Sequence, residues 1–114
     1  MKYPPTIYPT QYTVNCVPET VNGYYHFTIV VQYRGNGRWA IYRNTSQGGP
    51  LWSRQGCWDY GESSEDRDDE QWMTDHRFSQ EEALSIAAEL APHLTIRGSN
   101  GEWTVDRIME EQFR

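Results

Sequence analysis

Cysteine is scarce in this chain. Its 114 residues hold two, Cys16 and Cys57, too few for a disulfide-stapled scaffold. Without an export signal both are expected as reduced thiols, with one inter-strand disulfide as the alternative. Neither has a CxxC or CxxH neighbour, so zinc-ribbon chemistry is excluded. Long apolar runs are missing too: none reaches 18 residues, so no membrane-spanning helix is expected. The opening residues MKYPPTIYPTQY lack the apolar core of a signal peptide, which makes a cytoplasmic location the expectation. Phosphate-binding glycine loops are absent, since Gly48-Gly49-Pro50 is followed by neither a lysine nor a helix start.

Basic charge is also in short supply. The net charge is −6, and no basic stripe exists to displace counterions from nucleic acid, so general nucleic-acid binding is disfavoured. Residues 61–71 carry Glu62, Glu65, Asp66, Asp68, Asp69 and Glu70 against Arg67 alone, which accounts for five of the six net charges. The rest of the chain is close to neutral.

Aromatic side chains are what the sequence has in quantity. Five Trp, eight Tyr and three Phe make up 14% of the residues. Rings bury a large area each, so a modest apolar fraction can still build the core of one domain over residues 1–114. Sixteen rings exceed what a core of this size hides. Some of Tyr3, Tyr8, Tyr12, Tyr24, Tyr42 and Tyr60 are therefore expected at the surface, where tyrosine is enriched in protein interfaces. Half-exposed tyrosines on sheet faces are the ordinary alternative.

The clearest element is a helix over 79–91. Ser79 and Glu82 have capping-box spacing, Glu81 and Glu82 complement the helix dipole, and Pro92 should stop the helix. Its apolar arc is rich in alanine, which suits close packing on a sheet. Strands are expected over 11–17, 24–34, 38–43, 51–54 and 57–60, with a tight turn at Gly35-Asn36-Gly37. In the second strand Tyr25, Phe27, Ile29, Val31 and Tyr33 should face the core. Trp52 and Trp58 should cover one end of it. Residues 44–50 read as a loop.

Residues 1–10, with Pro4, Pro5 and Pro9 between tyrosines, read as an extended arm. Tyr3 and Tyr8 on it could dock on the body or on a neighbouring subunit. Residues 61–70 read as an acidic loop whose start is mobile. Short helices are expected near 68–75, with Trp72 and Met73 turned inward, and near 104–112. The latter is capped by Thr104, with Trp103 and Ile108 as a hydrophobic staple; strand over 102–106 is the competing reading. The sum is an α+β fold, an antiparallel sheet of four to five strands with the 79–91 helix on one face.

Three chemistries were weighed against this scaffold. The acidic run lacks the spaced ligands and central glycine of a calcium loop, so a solvated charged segment is the plainer reading. It could instead mimic nucleic-acid phosphates in a basic site of another protein. Cys57 with Asp75-His76 invites a thiol-nucleophile enzyme, but no family signature surrounds the cysteine; a buried or half-buried structural cysteine is the plainer reading. His26 and His93 pair with no second ligand. No residue is assigned a catalytic, cofactor-binding or metal-ligating role.

Trp39-Ala40-Ile41, Gly56-Cys57-Trp58-Asp59-Tyr60, Ser63-Ser64, Asp68 to Trp72, His76-Arg77-Phe78 and the helix with Ala83-Leu84, Ala87 and Ala91-Pro92-His93 follow one another in a telling order. Over about 38–97 the chain resembles small uncharacterised proteins of actinobacteria and their bacteriophages. The resemblance implies a phage or prophage context and action by binding a host protein. It assigns no residue a role. Tyr3, Tyr8, Glu62, Glu65, Asp66, Asp68, Asp69 and Glu70 are the expected partner-binding residues, with a homo-oligomer as a further expectation.

Overall fold

A computed structural model describes residues 2–43 and 49–113. Most of the loop expected at 44–50 lies outside the described residues. Five antiparallel strands form a meander in the order β1 (Gln11–Val14), β2 (Ile29–Tyr33), β3 (Trp39–Arg43), β4 (Leu51–Trp52) and β5 (Trp58–Asp59). Four α-helices follow or intervene: α1 (Ser64–Arg67), α2 (Glu70–His76), α3 (Gln80–Leu90) and α4 (Val105–Gln112). A separate hairpin, β6 (Thr95–Gly98) with β7 (Gly101–Thr104), precedes α4. The architecture is α+β.

The β2–β3 hairpin is set by its turn. Gly35, Asn36 and Gly37 all have positive φ, a conformation glycine and asparagine reach with least strain. Arg34 and Arg38 close the turn by backbone hydrogen bonding. The resulting register pairs Val31 with Ile41 and Tyr33 with Trp39. One face of the sheet therefore presents Ile29, Val31, Trp39 and Ile41, and the other Val30, Gln32, Ala40 and Tyr42.

The first face meets α3. Ser79 caps the helix through its side chain, and Glu82 completes the capping box. Ala83, Ala87 and Ala91 recur at helical spacing and are fully buried. Their small side chains let the helix backbone lie close to Ile29, Val31 and Ile41 in the core cluster, which also holds Phe27, Trp39, Phe78 and Leu94. The helix ends at Leu90, but the chain does not break at Pro92. It keeps turning as a 3-10 helix over Ala91–His93, where proline's missing N–H is not needed. Trp52 and Trp58, paired across β4 and β5 with their rings edge to face, pack against this core as expected.

The strand expected over 24–34 is shorter. Tyr24–Phe27 is a 3-10 turn, and β2 starts only at Ile29. Gly23 enters the turn at φ 88°, and Asn15 Nδ2 donates to Tyr24 O at 2.8 Å and to Thr28 Oγ1 at 3.0 Å. These bonds tie the turn to the residue after β1 and replace strand pairing. Phe27, Ile29 and Val31 do face the core, but Tyr25 and Tyr33 lie at the surface.

The acidic loop expected at 61–70 is corrected in part, because residues 64–67 form α1 and Glu70 begins α2. Ser63 and Asp66 form a capping box on α1, and Asp69 caps α2 by accepting from Gln71 N and Trp72 N. Further on, the competing readings for 102–112 both hold in part: β7 ends at Thr104, and Thr104 then caps α4 through Arg107 N.

Phe78 joins these parts. It forms a two-way backbone bridge with Trp39, N–O 2.8 and 2.9 Å, beside β3. Alternation then sends Phe78 to the helix side of the sheet and Arg77 to the opposite side.

Candidate functional site

Cys57, His76 and a carboxylate do come together, but the carboxylate is Asp59 rather than Asp75. The register of β4 and β5 places Leu51 opposite Asp59 on the sheet face away from α3. His76 at the end of α2 reaches it, with Nε2–Oδ2 at 2.8 Å. The other ring nitrogen, Nδ1, lies 2.8 Å from Trp72 O, and the ring stacks on Trp72. Both ring nitrogens face oxygen acceptors.

Cys57 Sγ donates to the second oxygen of Asp59 at 3.3 Å and also contacts Ser53 Oγ at 3.3 Å. Cys57 is exposed, contrary to the buried or half-buried structural cysteine expected from sequence, and so is Cys16; both are free. A nucleophile needs a base on its own hydrogen. Here the carboxylate sits between thiol and imidazole, which is the order of a structural tie. Asp75 is turned elsewhere: its carboxylate accepts from Gln71 Nε2 and its carbonyl from Arg54 N. The hydrogen bond from His76, then that from Cys57, holds the Asp59 carboxyl below its ordinary value of 3.8.

The acidic residues divide by role. Glu62 folds inward onto the sheet face away from α3. It accepts a hydrogen bond from Arg77 Nη2 and lies 3.3 Å from Arg34 Nη1. The Arg77 and Glu62 side chains are only 3% and 10% exposed. Burial pulls the Arg77 guanidinium below the usual arginine range, and the Glu62 hydrogen bond opposes that shift. Arg77 also lies over the Trp72 ring, which is half-buried against His76 and Arg77 rather than in the main core.

Glu70 pairs with Arg38 at 2.9 Å. Asp66 and Asp69 serve as helix caps. Only Glu65 and Asp68 of the six keep their carboxylates free of such ties among the described residues. Sequence reasoning missed the destination of Glu62, which rests on tertiary contacts alone. The caps were readable from the Ser63-to-Asp66 spacing and from Asp69 just before α2.

Arg54, in the β4–β5 turn, locks the junction of α2 and α3. It donates to Thr74 O at 3.0 Å and Arg77 O at 2.9 Å, covers the Phe78 ring at 4.5 Å, and grips both oxygens of Glu82 at 2.9 Å. That Arg54 hydrogen bond lowers the Glu82 pKa.

The aromatic surplus gathers at the opposite corner. Tyr8, Pro9, Thr10, Tyr33, Trp39 and Gln80 line an open cleft of about 640 Å³. Trp39 forms its floor, with Tyr33 at 5.3 Å and Tyr12 at 5.7 Å between ring centroids. Gln80 is held at the rim by donating to Tyr12 Oη at 2.8 Å, and Tyr33 Oη accepts from Gly37 N at 3.2 Å. Thr10 O accepts from Tyr33 N at 2.8 Å, which pins the root of the arm beside the cleft. Tyr8 lines the cleft but stays 72% exposed; Tyr3 and Ile7, farther out, are 79% and 94% exposed. The volume falls in the range of ligand sites, and three rings make up half of the lining, with Thr10 and Gln80 as its non-aromatic polar members.

Among the described residues, no group of three or more His, Cys, Asp or Glu is arranged to hold a metal ion. No helix among them is long and apolar enough to cross a membrane. No family model matches the chain, and no curated protein or solved structure matches it either.

Two expectations follow for solution measurements. Glu62→Gln removes the countercharge of a buried guanidinium and should cost about 3 kcal/mol in urea unfolding, while Glu65→Gln should stay within about 0.5 kcal/mol. Equal small effects would contradict the internal role of Glu62. For pH, Asp59 and Glu82 have folded pKa values below their ordinary 3.8 and 4.5. Their contribution to stability is therefore complete above those values and is lost as pH falls through the lower, folded ones. Unfolding midpoints measured down the acid limb should fall less steeply in Asp59→Asn and Glu82→Gln than in the wild type; unchanged slopes would speak against both ties.

Proposed function

We propose that this chain is a non-enzymatic protein-binding module, a phage factor that engages a host protein, and that its docking surface is the aromatic cleft together with the arm beside it. One observation carries this reading. The exposed side chains of Tyr3, Ile7 and Tyr8 lead directly into a cleft walled by Tyr33, Trp39 and Gln80. Aromatic side chains of this kind dominate binding energy where they are clustered and can be desolvated together. Exposing such a group to water has no folding advantage, whereas covering it stabilises an assembly.

The acidic segment supports a partner-binding role less well. Glu62, Asp66, Asp69 and Glu70 are engaged within the fold, which leaves Glu65 and Asp68 as its free carboxylates among the described residues. Rows of outward carboxylates at phosphate spacing, which nucleic-acid mimicry requires, do not result from that arrangement. A thiol enzyme at Cys57 draws no support from a carboxylate interposed between thiol and imidazole.

Affinity capture from an actinobacterial lysate tests the reading when run on three proteins side by side. Wild type and a Glu65→Gln/Asp68→Asn variant should retain the same stoichiometric partner. Tyr8→Ala/Tyr33→Ala should retain it at least tenfold more weakly, the loss of about 1.4 kcal/mol or more expected for truncating interface rings. Equal retention by all three would remove the cleft from the account.

A further inference from the structure

We infer that, in the isolated protein, the cleft is occupied by the arm of a second copy of the chain. Two copies then exchange arms reciprocally about a twofold axis. This rests on the reading of the cleft as a docking surface and names what fills it.

The chemistry of the cleft comes first. Its own wall already contains one tyrosine–proline pair, Tyr8-Pro9, set beside Tyr33 and Trp39. The arm carries a second such pair, Tyr3-Pro4, followed by Pro5 and Ile7. Extended, proline-bearing segments dock well in aromatic-lined grooves, because little backbone freedom remains to be lost. Gln80 at the rim offers an amide where such a segment, poor in its own N–H groups, presents carbonyls. Arm and cleft are thus complementary parts present in one sequence.

The arm's placement comes second. Thr10 is fixed to Tyr33 by a backbone hydrogen bond, Tyr8 and Pro9 line the cleft beside it, and the chain before them stays solvated rather than folding over the cleft. Ile7 and Tyr3 are almost fully solvated as a result. The molecule is accordingly long, 57 × 39 × 24 Å, with a radius of gyration of 16.3 Å, against about 13 Å for a compact chain of this length.

Charge and area are consistent with exchange. Lys2 is the one charged side chain in residues 1–18, so this segment is cationic while the remainder of the chain carries all sixteen acids. Glu81 stands next to Gln80 in the first turn of α3, near where the incoming arm would lie. Tyr3 and Ile7 offer roughly 350 Å² of burial per arm, and the cleft surface they cover offers about as much again. Reciprocal exchange brings the total over both partners to roughly 1,400 Å², within the range of a specific interface.

Sedimentation equilibrium of the pure full-length chain tests the exchange, with two variants and their mixture. Wild type should be a dimer. Tyr3→Ala/Ile7→Ala (arm) and Tyr33→Ala/Gln80→Ala (cleft) should each associate about thirtyfold more weakly, the effect of losing roughly 2 kcal/mol of interface contacts. Mixed in equal amounts, they should recover a heterodimer, because one intact arm then meets one intact cleft.

The arm variant alters only exposed side chains outside the packed body. If the cleft variant fails to fold by circular dichroism, a peptide of residues 2–10 added to wild type takes its place and should dissociate the dimer. Three results would overturn the inference: a wild type that is monomeric at its solubility limit, a dimer indifferent to the arm substitutions, or variants that are each monomeric and stay so when mixed. None of these depends on an external partner, so failure here leaves the lysate comparison standing, and failure there leaves this one standing.

Discussion

The backbone bridge between Trp39 and Phe78 is the joint on which the molecule turns. Two hydrogen bonds at 2.8 and 2.9 Å hold the segment entering α3 against the start of β3. Because neighbouring residues of an extended segment point to opposite faces, this one contact sends Phe78 into the apolar core and Arg77 to the far side of the sheet. The same bridge fixes Trp39 as the floor of the aromatic cleft and delivers Ser79 to cap the helix that covers β2 and β3. Arg54 reinforces the joint by bonding to the Thr74 and Arg77 carbonyls before it and the Glu82 carboxylate after it, and by covering the Phe78 ring.

The two faces of the sheet are closed by different physics. On one side, alanines at helical spacing bring α3 close to branched side chains, and burial of apolar area stabilises the contact without directionality. On the other, Arg77 and Glu62 form a desolvated ion pair that Arg34 extends, and His76 binds Asp59. Such pairs add little net stability over an apolar contact, but removing one partner strands a charge. The one buried side-chain nitrogen or oxygen without a hydrogen-bond partner among the described residues, Arg77 Nε, sits in this polar layer. The layer therefore specifies where the acidic segment lies more than it adds to total stability, and it takes Glu62 and Glu70 out of the pool of charges open to a partner.

What was legible in the sequence was local. Ser79 with Glu82 marked the start of α3, alanine spacing marked its buried stripe, and Gly35-Asn36-Gly37 marked the hairpin, because each signal acts within a few residues. Tyr24 to Phe27 misled because aromatic alternation looks the same in a strand as in the 3-10 turn that leads into it. What decides for the turn is Asn15, at the end of the preceding strand, binding Tyr24 O and Thr28. Charge density in 61–70 concealed two helix caps that Ser63, Asp66 and Asp69 spell out. The pairing of β6 with β7 was legible only in part, through the competing strand reading over 102–106, which gives one of its two members. In the candidate sites, Cys57 and His76 were rightly suspected of proximity, but the carboxylate they share, Asp59, is chosen by strand register. The aromatic surplus was plain from composition, while its collection around Trp39 required the fold.

The cleft floor and the start of α3 are consequences of the same joint, since moving Phe78 away from Trp39 would open the one and release the other together. Amide hydrogen exchange at Trp39 and Phe78 tests this most directly. If the bridge is the joint, both amides exchange only through global unfolding and match the slowest amides of β2. If they exchange as fast as the amides of the arm, residues 2–10, the bridge is incidental and the account fails.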